Sequence, residues 1–153
     1  MNDLPQIGFD FAFKGNPLER QSEHRGDAAW FEAHRRSDVA RFLLMCEGRP
    51  VIDVADGRLD ILHARPLGDD LAMVVDDSVL LGFREPDASP VFAVPLARSV
   101  EDIEAAYANL KCIDTRSLAV QGVLPPGYLG LLAQASALLH WHATHRFCSR
   151  CGA

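Results

Sequence analysis

The sequence predicts an α+β domain in which an antiparallel or mixed sheet of short strands is packed by two carboxy-terminal helices. Short apolar segments separated by turn residues fill the stretch from residue 38 to residue 96, which is the pattern of such a sheet. Beyond residue 99 the apolar residues recur at spacings of three and four, which is the period of an amphipathic helix. Strands that precede helices in this way are typical of α+β architecture.

The strands of the predicted sheet are separated by recognisable turns. Glu47-Gly48-Arg49 and Asp56-Gly57 have the composition of tight turns between strands. Before the sheet, Phe9, Phe11 and Phe13 alternate with other residues and predict a short strand with a buried aromatic face. A short helix or turn is expected at residues 28–34. The strands of the sheet itself are expected at residues 39–46, 50–54, 59–64, 71–75, 79–83 and 91–94.

Two helices are expected beyond the sheet. Ser99 followed three residues later by Asp102 resembles a capping box. The face of this first helix comprises Ile103, Ala106, Tyr107 and Leu110. The second helix is expected at about residues 127–145, and we expect Trp141 to be largely buried there, so that truncation to alanine would cost about 3–5 kcal/mol. The apolar stripe of the second helix comprises Tyr128, Leu131, Leu132, Ala135, Leu138 and Leu139.

Composition limits the classes of function. A chain of 153 residues that is 48% hydrophobic is long enough for one domain and an appendage. The net charge of −6 argues against a nucleic-acid partner, because such binding needs a basic surface. Residues 117–145 contain no charged side chain except histidine, but the compact apolar run at 128–141 is shorter than the ~20 residues that cross a bilayer. Without a secretory signal at the start of the sequence, we expect a cytoplasmic protein and no membrane partner.

The four cysteines divide into two pairs. In a cytosolic protein they are expected to be thiols or metal ligands. Cys46 and Cys112 lie among apolar residues and are expected to be small buried hydrophobes. Cys148 and Cys151, followed by Gly152, have the form of a zinc knuckle, because a turn of this length brings both sulfurs to one side. They supply two of four zinc ligands, and a zinc ribbon needs a second pair ~15–20 residues later.

Other interpretations of the carboxy-terminal cysteines compete with the zinc knuckle. A redox pair of the thioredoxin type should follow a strand and open a helix, whereas this pair follows a helix. A structural disulfide is disfavoured in a cytosolic protein. A mixed metal site would use His140, or His142 and His145, which share a helix face. For these histidines we favour a structural role in which they cap the helix end or pack beside Trp141.

The residues around the cysteine pair resemble a known family. Residues 137–152 look like the helix-to-ribbon junction of NADH pyrophosphatases of the Nudix superfamily, in which a helix with "A-x-A-L-L-x-W-H" runs into "H-x-F-C-x-x-C-G". Residues 18–25 are similar to the family's early "L-x-R-x-x-x-x-R" segment. Residues 80–83 and 90–93 are similar to its "L-L-G … P-V-F-A" hairpin. The resemblance covers about residues 9–152.

The resemblance implies that this chain is part of a three-part enzyme. Residues 1–146 would be the rudimentary Nudix-like amino-terminal domain, and residues 147–153 would begin a zinc ribbon that continues beyond this sequence. The metal-ligand role carries over to Cys148 and Cys151 alone. The family's amino-terminal domain is associated with dimerisation, so a homodimer is expected. The full-length enzyme hydrolyses NAD(H) to NMN(H) and AMP, and related members remove NAD caps from RNA.

The resemblance assigns no catalytic residue to this chain. Catalysis in the family depends on the Nudix box, G-x5-E-x7-R-E-U-x-E-E-x-G-U, whose carboxylates bind Mg²⁺ or Mn²⁺. The 153 residues contain no such box. Their nearest fragment, Arg84-Glu85-Pro86, places a helix-breaking proline inside the motif. We therefore expect the chain alone to be inactive, with its catalytic domain and divalent cations elsewhere.

A second function remains open at the level of the sequence. The chain would then be a stand-alone nucleotide- or protein-binding module that completes a four-thiolate zinc site by dimerising. About 0.5 zinc per chain is the stoichiometry expected of such a shared site. Against nucleotide binding, the sequence has no Walker or dinucleotide glycine pattern to cradle a phosphate.

Overall fold

One mixed sheet forms the centre of the protein. The computed structural model describes residues 13, 15–24, 26–64 and 77–145. The strands of this part are β1 (Leu18–Glu19), β2 (Arg41–Cys46), β3 (Arg49–Asp53), β4 (Val79–Arg84), β5 (Ser89–Pro95) and β6 (Leu110–Cys112). Their spatial order is β1-β4-β5-β2-β3-β6. The central strands β2 and β5 run parallel, and the other neighbours are antiparallel. The predicted α+β class is confirmed.

Helices cover both faces of this sheet. The described α-helices are α1 (Ala28–Arg35), α2 (Val100–Ala106), α3 (Thr115–Gln121) and α4 (Tyr128–Thr144), and short 3-10 turns lie at Ser22–His24 and Ala55–Gly57. Helices α1 and α2 pack on one face, and α3 and α4 pack on the other. The prediction of two packing helices was therefore incomplete. Within the described residues, none of the helices has the length and apolar character that crossing a bilayer requires.

The two-sided packing explains the composition of the central strands. In β2, Phe42 and Leu44 belong to the core beneath α1 and α2, whereas Leu43 and Met45 belong to the core beneath α3 and α4. Successive side chains of a strand point to opposite faces, so a strand with a helix on each side must be apolar at every position. This requirement accounts for the uninterrupted apolar run that predicted the strand.

The predicted hairpin at residues 79–94 is confirmed, and it contains a bulge. Strands β4 and β5 pair antiparallel, with Phe83 opposite Pro90 and a register shift between Leu80 and Gly82. Gly82 has a backbone φ of +152°, a conformation that residues with a side chain rarely adopt. A Cβ atom there would lie 2.6 Å from the carbonyl oxygen of Glu19 in β1. The glycine therefore allows β1 to approach the hairpin.

The region after the hairpin differs from the prediction. The Ser99 hydroxyl accepts a hydrogen bond from the Asp102 amide at 3.2 Å, as the predicted cap requires. However, α2 ends at Ala106, and Leu110 lies in β6 opposite Asp53 rather than on the helix. The predicted helical stripe is therefore wrong from Tyr107 onward. The spacing of apolar residues fitted a helix, but pairing with the edge of β3 selected a strand.

Helix α3 was not predicted, although its end signals are present in the sequence. The Asp114 carboxylate accepts a hydrogen bond from the Ser117 amide at 2.9 Å, which caps the start of the helix. At the other end, Gly122 has a φ of +61°, as helix-terminating glycines commonly do. Asp114 and Gly122 mark the two ends of α3 in the sequence, whereas the pattern of apolar residues does not indicate this helix.

The remaining strand predictions had mixed outcomes. The strands expected at 39–46, 50–54, 79–83 and 91–94 correspond to β2, β3, β4 and β5. The strand expected at 59–64 is wrong, because that segment makes only isolated bridges through Asp60 and His63. The segment at 71–75 lies outside the described residues, as do Phe9 and Phe11. Phe13 is in a turn and 50% exposed, so its predicted burial is wrong.

The helix predicted at 127–145 is confirmed as α4, but the predicted burial of Trp141 is wrong. Leu131, Leu132 and Ala135 are buried, whereas every residue of the segment 140–145 is exposed. Trp141 is 52% exposed. At about 100° per residue, Trp141 lies roughly 120° from the centre of the buried stripe, on the part of the helix that extends past the core. The residue type alone therefore did not indicate whether Trp141 is buried or exposed.

The exposure of Trp141 leads to a revised prediction. We expect Trp141→Ala to lower the free energy of unfolding by less than about 1 kcal/mol, because little packing is lost. The control is Leu132→Ala on the same helix, which is fully buried and should cost about 2–5 kcal/mol. Chemical denaturation followed by far-UV circular dichroism measures both. Equal losses for the two variants would contradict the position of Trp141.

Candidate functional site

Helix α4 leads towards the predicted zinc ligands. The helix ends at Thr144, and the amide of His145 donates a hydrogen bond to the carbonyl oxygen of Trp141 at 2.8 Å. Cys148 and Cys151 follow within a few residues, but they lie outside the described residues. The boundary between residues 146 and 147 also lies there. Both the half zinc site and the domain boundary therefore stay predictions.

His145 has the structural role that was favoured for it. Its imidazole stacks on the indole of Trp141, with ring centres 5.2 Å apart and an interplanar angle of 11°. Its Nδ1 atom lies 3.1 Å from the Trp141 carbonyl oxygen, a position from which an N–H group caps the end of the helix. His142 packs edge-on against the same indole. In the part of the chain that the structure describes, no cluster of three or more His, Cys, Asp or Glu side chains is placed to hold a metal ion.

Cys46 and Cys112 are buried free thiols, as predicted. The Cys46 thiol donates a hydrogen bond to the carbonyl oxygen of Arg98 at 3.0 Å. Burial raises the pKa of Cys46 and raises the pKa of Cys112 to about 12. The two thiols interact with each other, both lie in the core beneath α1 and α2, and neither is in a disulfide. These thiols belong to the core and are poor metal ligands in the protonated state.

The fragment nearest to a Nudix box forms a hairpin turn. Arg84 is the last residue of β4, and Glu85 and Pro86 lie in the turn to β5. The Arg84 guanidinium donates to the Asp87 carboxylate at 2.9 Å and, together with the Ser89 hydroxyl, holds the pKa of Asp87 well below its usual range. A Nudix box requires a helix that presents several carboxylates to divalent cations. This turn has neither feature.

Two of the segments that carried the sequence resemblance pair with each other in the sheet. Leu18 and Glu19 of β1 pair with Arg84 and Phe83 of β4. Helix α4 is tied to the same place, because the Gln134 side chain donates to the carbonyl oxygen of Leu81 at 3.1 Å. Segments far apart in the chain are thus parts of one packed unit, a relation that the sequence did not show.

Comparison with known proteins identifies the fold family. The profile described as NUDIX-like, NADH pyrophosphatase-like rudimentary NUDIX domain, matches residues 39–141. The match begins just before β2 and continues almost to the end of α4. A comparison with curated proteins found no significant match. Because the matched residues make up more than half of the 153, this chain belongs to the family of NADH pyrophosphatase-like rudimentary NUDIX domains.

Proposed function

We propose that this chain is the amino-terminal scaffold and dimerisation domain of a NADH pyrophosphatase whose full-length form hydrolyses NAD(H) to NMN(H) and AMP. The observation that carries the proposal is the family match at residues 39–141 in a sequence that contains no Nudix box. The carboxylates of the box supply the metal-ion chemistry of hydrolysis. A domain of this family that lacks them is suited to a structural role beside a separate catalytic domain.

Cys148 and Cys151 are proposed to contribute half of a structural zinc site. Two thiols separated by two residues fit one side of a tetrahedral zinc ion, which then needs two further ligands. The buried thiols Cys46 and Cys112 do not suit that role, because they lie within the sheet core with raised pKa values. The remaining ligands would therefore come from a later part of the full-length protein, and zinc would fix the junction between α4 and that part.

Dimerisation is proposed from the family resemblance. Sedimentation of the purified chain tests it directly, and a monomer at all accessible concentrations would contradict it. The stand-alone module would instead form its dimer through a shared zinc site. In that case zinc chelation or Cys148→Ser would dissociate the dimer, whereas a scaffold dimer held by other contacts would persist.

Catalysis is the central test of the scaffold proposal. Incubation of the chain with NADH and Mg²⁺ or Mn²⁺ should release no AMP above the blank, because the carboxylates of the box are absent. Chromatography of the nucleotides detects the product. The positive control is the same chain joined to a catalytic Nudix domain of the family. Metal-dependent release of AMP by the 153-residue chain would contradict the proposal.

Zinc content distinguishes the half site from a shared site. A four-thiolate site shared between two copies would hold about 0.5 zinc ions per chain. After dialysis, we expect the chain to retain far less zinc than that. Elemental analysis gives the stoichiometry. Retention near that value, abolished by Cys148→Ser but kept in the Cys46→Ala control, would favour the stand-alone module.

A further inference from the structure

A cleft of about 330 Å³ opens between helices from the two faces of the sheet. Trp30 and Phe31 of α1 lie on one side, and Trp141 and His142 of α4 lie on the other, with the start of β4 between them. The sequence contains two tryptophans, and both line this cleft. The volume is in the range of small-molecule sites, which are typically lined by apolar and aromatic side chains with a few polar groups.

The wall formed by Trp30 is held in place by other rings. The indole stacks with His24 at a centroid distance of 4.8 Å, and it contacts His34 at 4.1 Å and Phe83 at 5.6 Å. The His34 Nδ1 atom lies 2.8 Å from the backbone carbonyl oxygen of Trp30, which orients that ring as well. These ring contacts and the hydrogen bond fix the orientation of Trp30, and with it this wall of the cleft.

The opposite wall presents an indole that the fold itself does not bury. Trp141 stacks on His145, yet 52% of its surface remains exposed. Large aromatic side chains that stay accessible beside a concave surface are used to stack planar rings, since each flat ring has a π-face. Trp141 is therefore available to a ligand in the cleft.

A polar group beside these aromatic rings lacks a partner. The Ser78 hydroxyl is shielded from solvent and makes no hydrogen bond. Among the described residues, one carboxylate oxygen of Glu32 is the other buried side-chain atom without a hydrogen bond. Ser78 also lines the cleft. A shielded hydroxyl without a partner is unfavourable and uncommon in native proteins. A serine hydroxyl both donates and accepts, so a polar group bound in the cleft beside Ser78 would supply the missing partner.

We propose that this cleft binds a planar heteroaromatic ring with an amino or amide group at its edge, as in a nucleobase. The ring stacks on Trp141, and its polar edge bonds to Ser78. Apart from Ser78 and His142, the described lining residues are apolar or aromatic, so the contacts they offer a ligand are stacking on a flat ring and a hydrogen bond at its edge. This activity goes beyond the scaffold role and requires neither the zinc site nor a catalytic domain.

Binding of adenine to the purified chain tests the proposal. We expect saturable quenching of tryptophan fluorescence, because both tryptophans line the cleft, with a Kd of about 1 mM for a ring of this size. Saturation-transfer NMR on the ligand gives an independent measurement. Trp141→Ala should weaken binding about tenfold, and Trp141→Phe should restore most of it. Ser78→Ala should weaken binding about fivefold, whereas the control Val120→Ala, on an 81% exposed residue of α3, should leave it unchanged.

A matched pair of probes separates stacking from simple filling of an apolar space. Benzamide and cyclohexanecarboxamide carry the same amide on a flat and a saturated ring, and only the flat ring should bind. Equal binding of the two, absence of saturable adenine binding, or unchanged affinity in Trp141→Ala would overturn the proposal. So would conversion of a dimer to a monomer by Trp141→Ala, because the cleft would then be a contact between two copies.

Discussion

Replacement of Phe92 by alanine is expected to lower the free energy of unfolding by about 3–5 kcal/mol. Phe92 is fully buried in β5, at the centre of the sheet. Its ring stacks with that of Phe42 at 6.0 Å and meets the edge of Phe31 from α1 at 5.3 Å. Truncation therefore leaves a cavity between the parallel strands and the helix above them, and the surrounding rigid elements can close it only in part.

Urea denaturation followed by circular dichroism measures this loss. Phe13→Ala is the matched control, because the same atoms are removed from a side chain that is 50% exposed. We expect the control to change stability by less than about 1 kcal/mol. Since Phe31 joins Phe92 to α1, amide exchange in α1 should also accelerate in Phe92→Ala. A loss no larger than that of the control would mean that Phe92 is not a central core residue.

Replacement of Gly82 by alanine is expected to cost about 2–5 kcal/mol, from backbone strain and a steric clash together. The φ of +152° is rarely adopted by residues with a side chain. In addition, the new Cβ would lie 2.6 Å from the Glu19 carbonyl oxygen and 2.8 Å from the Cβ of Leu18. The clash can be relieved if the two-residue strand β1 moves away from β4, at the expense of that pairing.

Gly48→Ala is the control in which strain occurs without a clash. Gly48 also has a positive φ, +77°, but a Cβ atom there would meet no atom within 4 Å. Its replacement should therefore cost only the strain, about 1 kcal/mol. The excess loss in Gly82→Ala combines the clash with the greater strain at φ +152°, and faster proteolysis of the chain near Leu18 would locate the clash at β1. Equal losses in the two variants would show that β1 does not press against this glycine.

The strands were predicted most accurately where the fold places helices on both of their faces. The run from Phe42 to Cys46 is apolar at every position, and burial on both faces is the reason. Local patterns also predicted two helices: the apolar stripe predicted α4, and the capping residue Ser99 predicted the start of α2. In contrast, Leu110 fitted a helical period by spacing alone. Its place in β6 depends on Asp53 across the sheet, which is far away in sequence.

The candidate site was predictable only in part, for a similar reason. The cysteine spacing and the residues around it indicated the family, and the family match at 39–141 supports that assignment. The cleft was missed because its walls come from α1, β4 and α4, which no single window of sequence brings together. The burial of Trp141 was predicted wrongly, because a large apolar side chain near the end of a helix can face either the core or solvent. The residue type alone does not decide between the two.

By itself, the sequence determined the α+β class, the central strands, the long last helix and the family resemblance, because alternation, helical period and short motifs are properties of neighbouring residues. The tertiary structure alone decided the parallel pairing of β2 with β5, the insertion of β6 at the sheet edge and the exposure of Trp141 beside the cleft. Those features depend on which distant segments meet and on where a helix extends past the core. Local spacing does not encode that information.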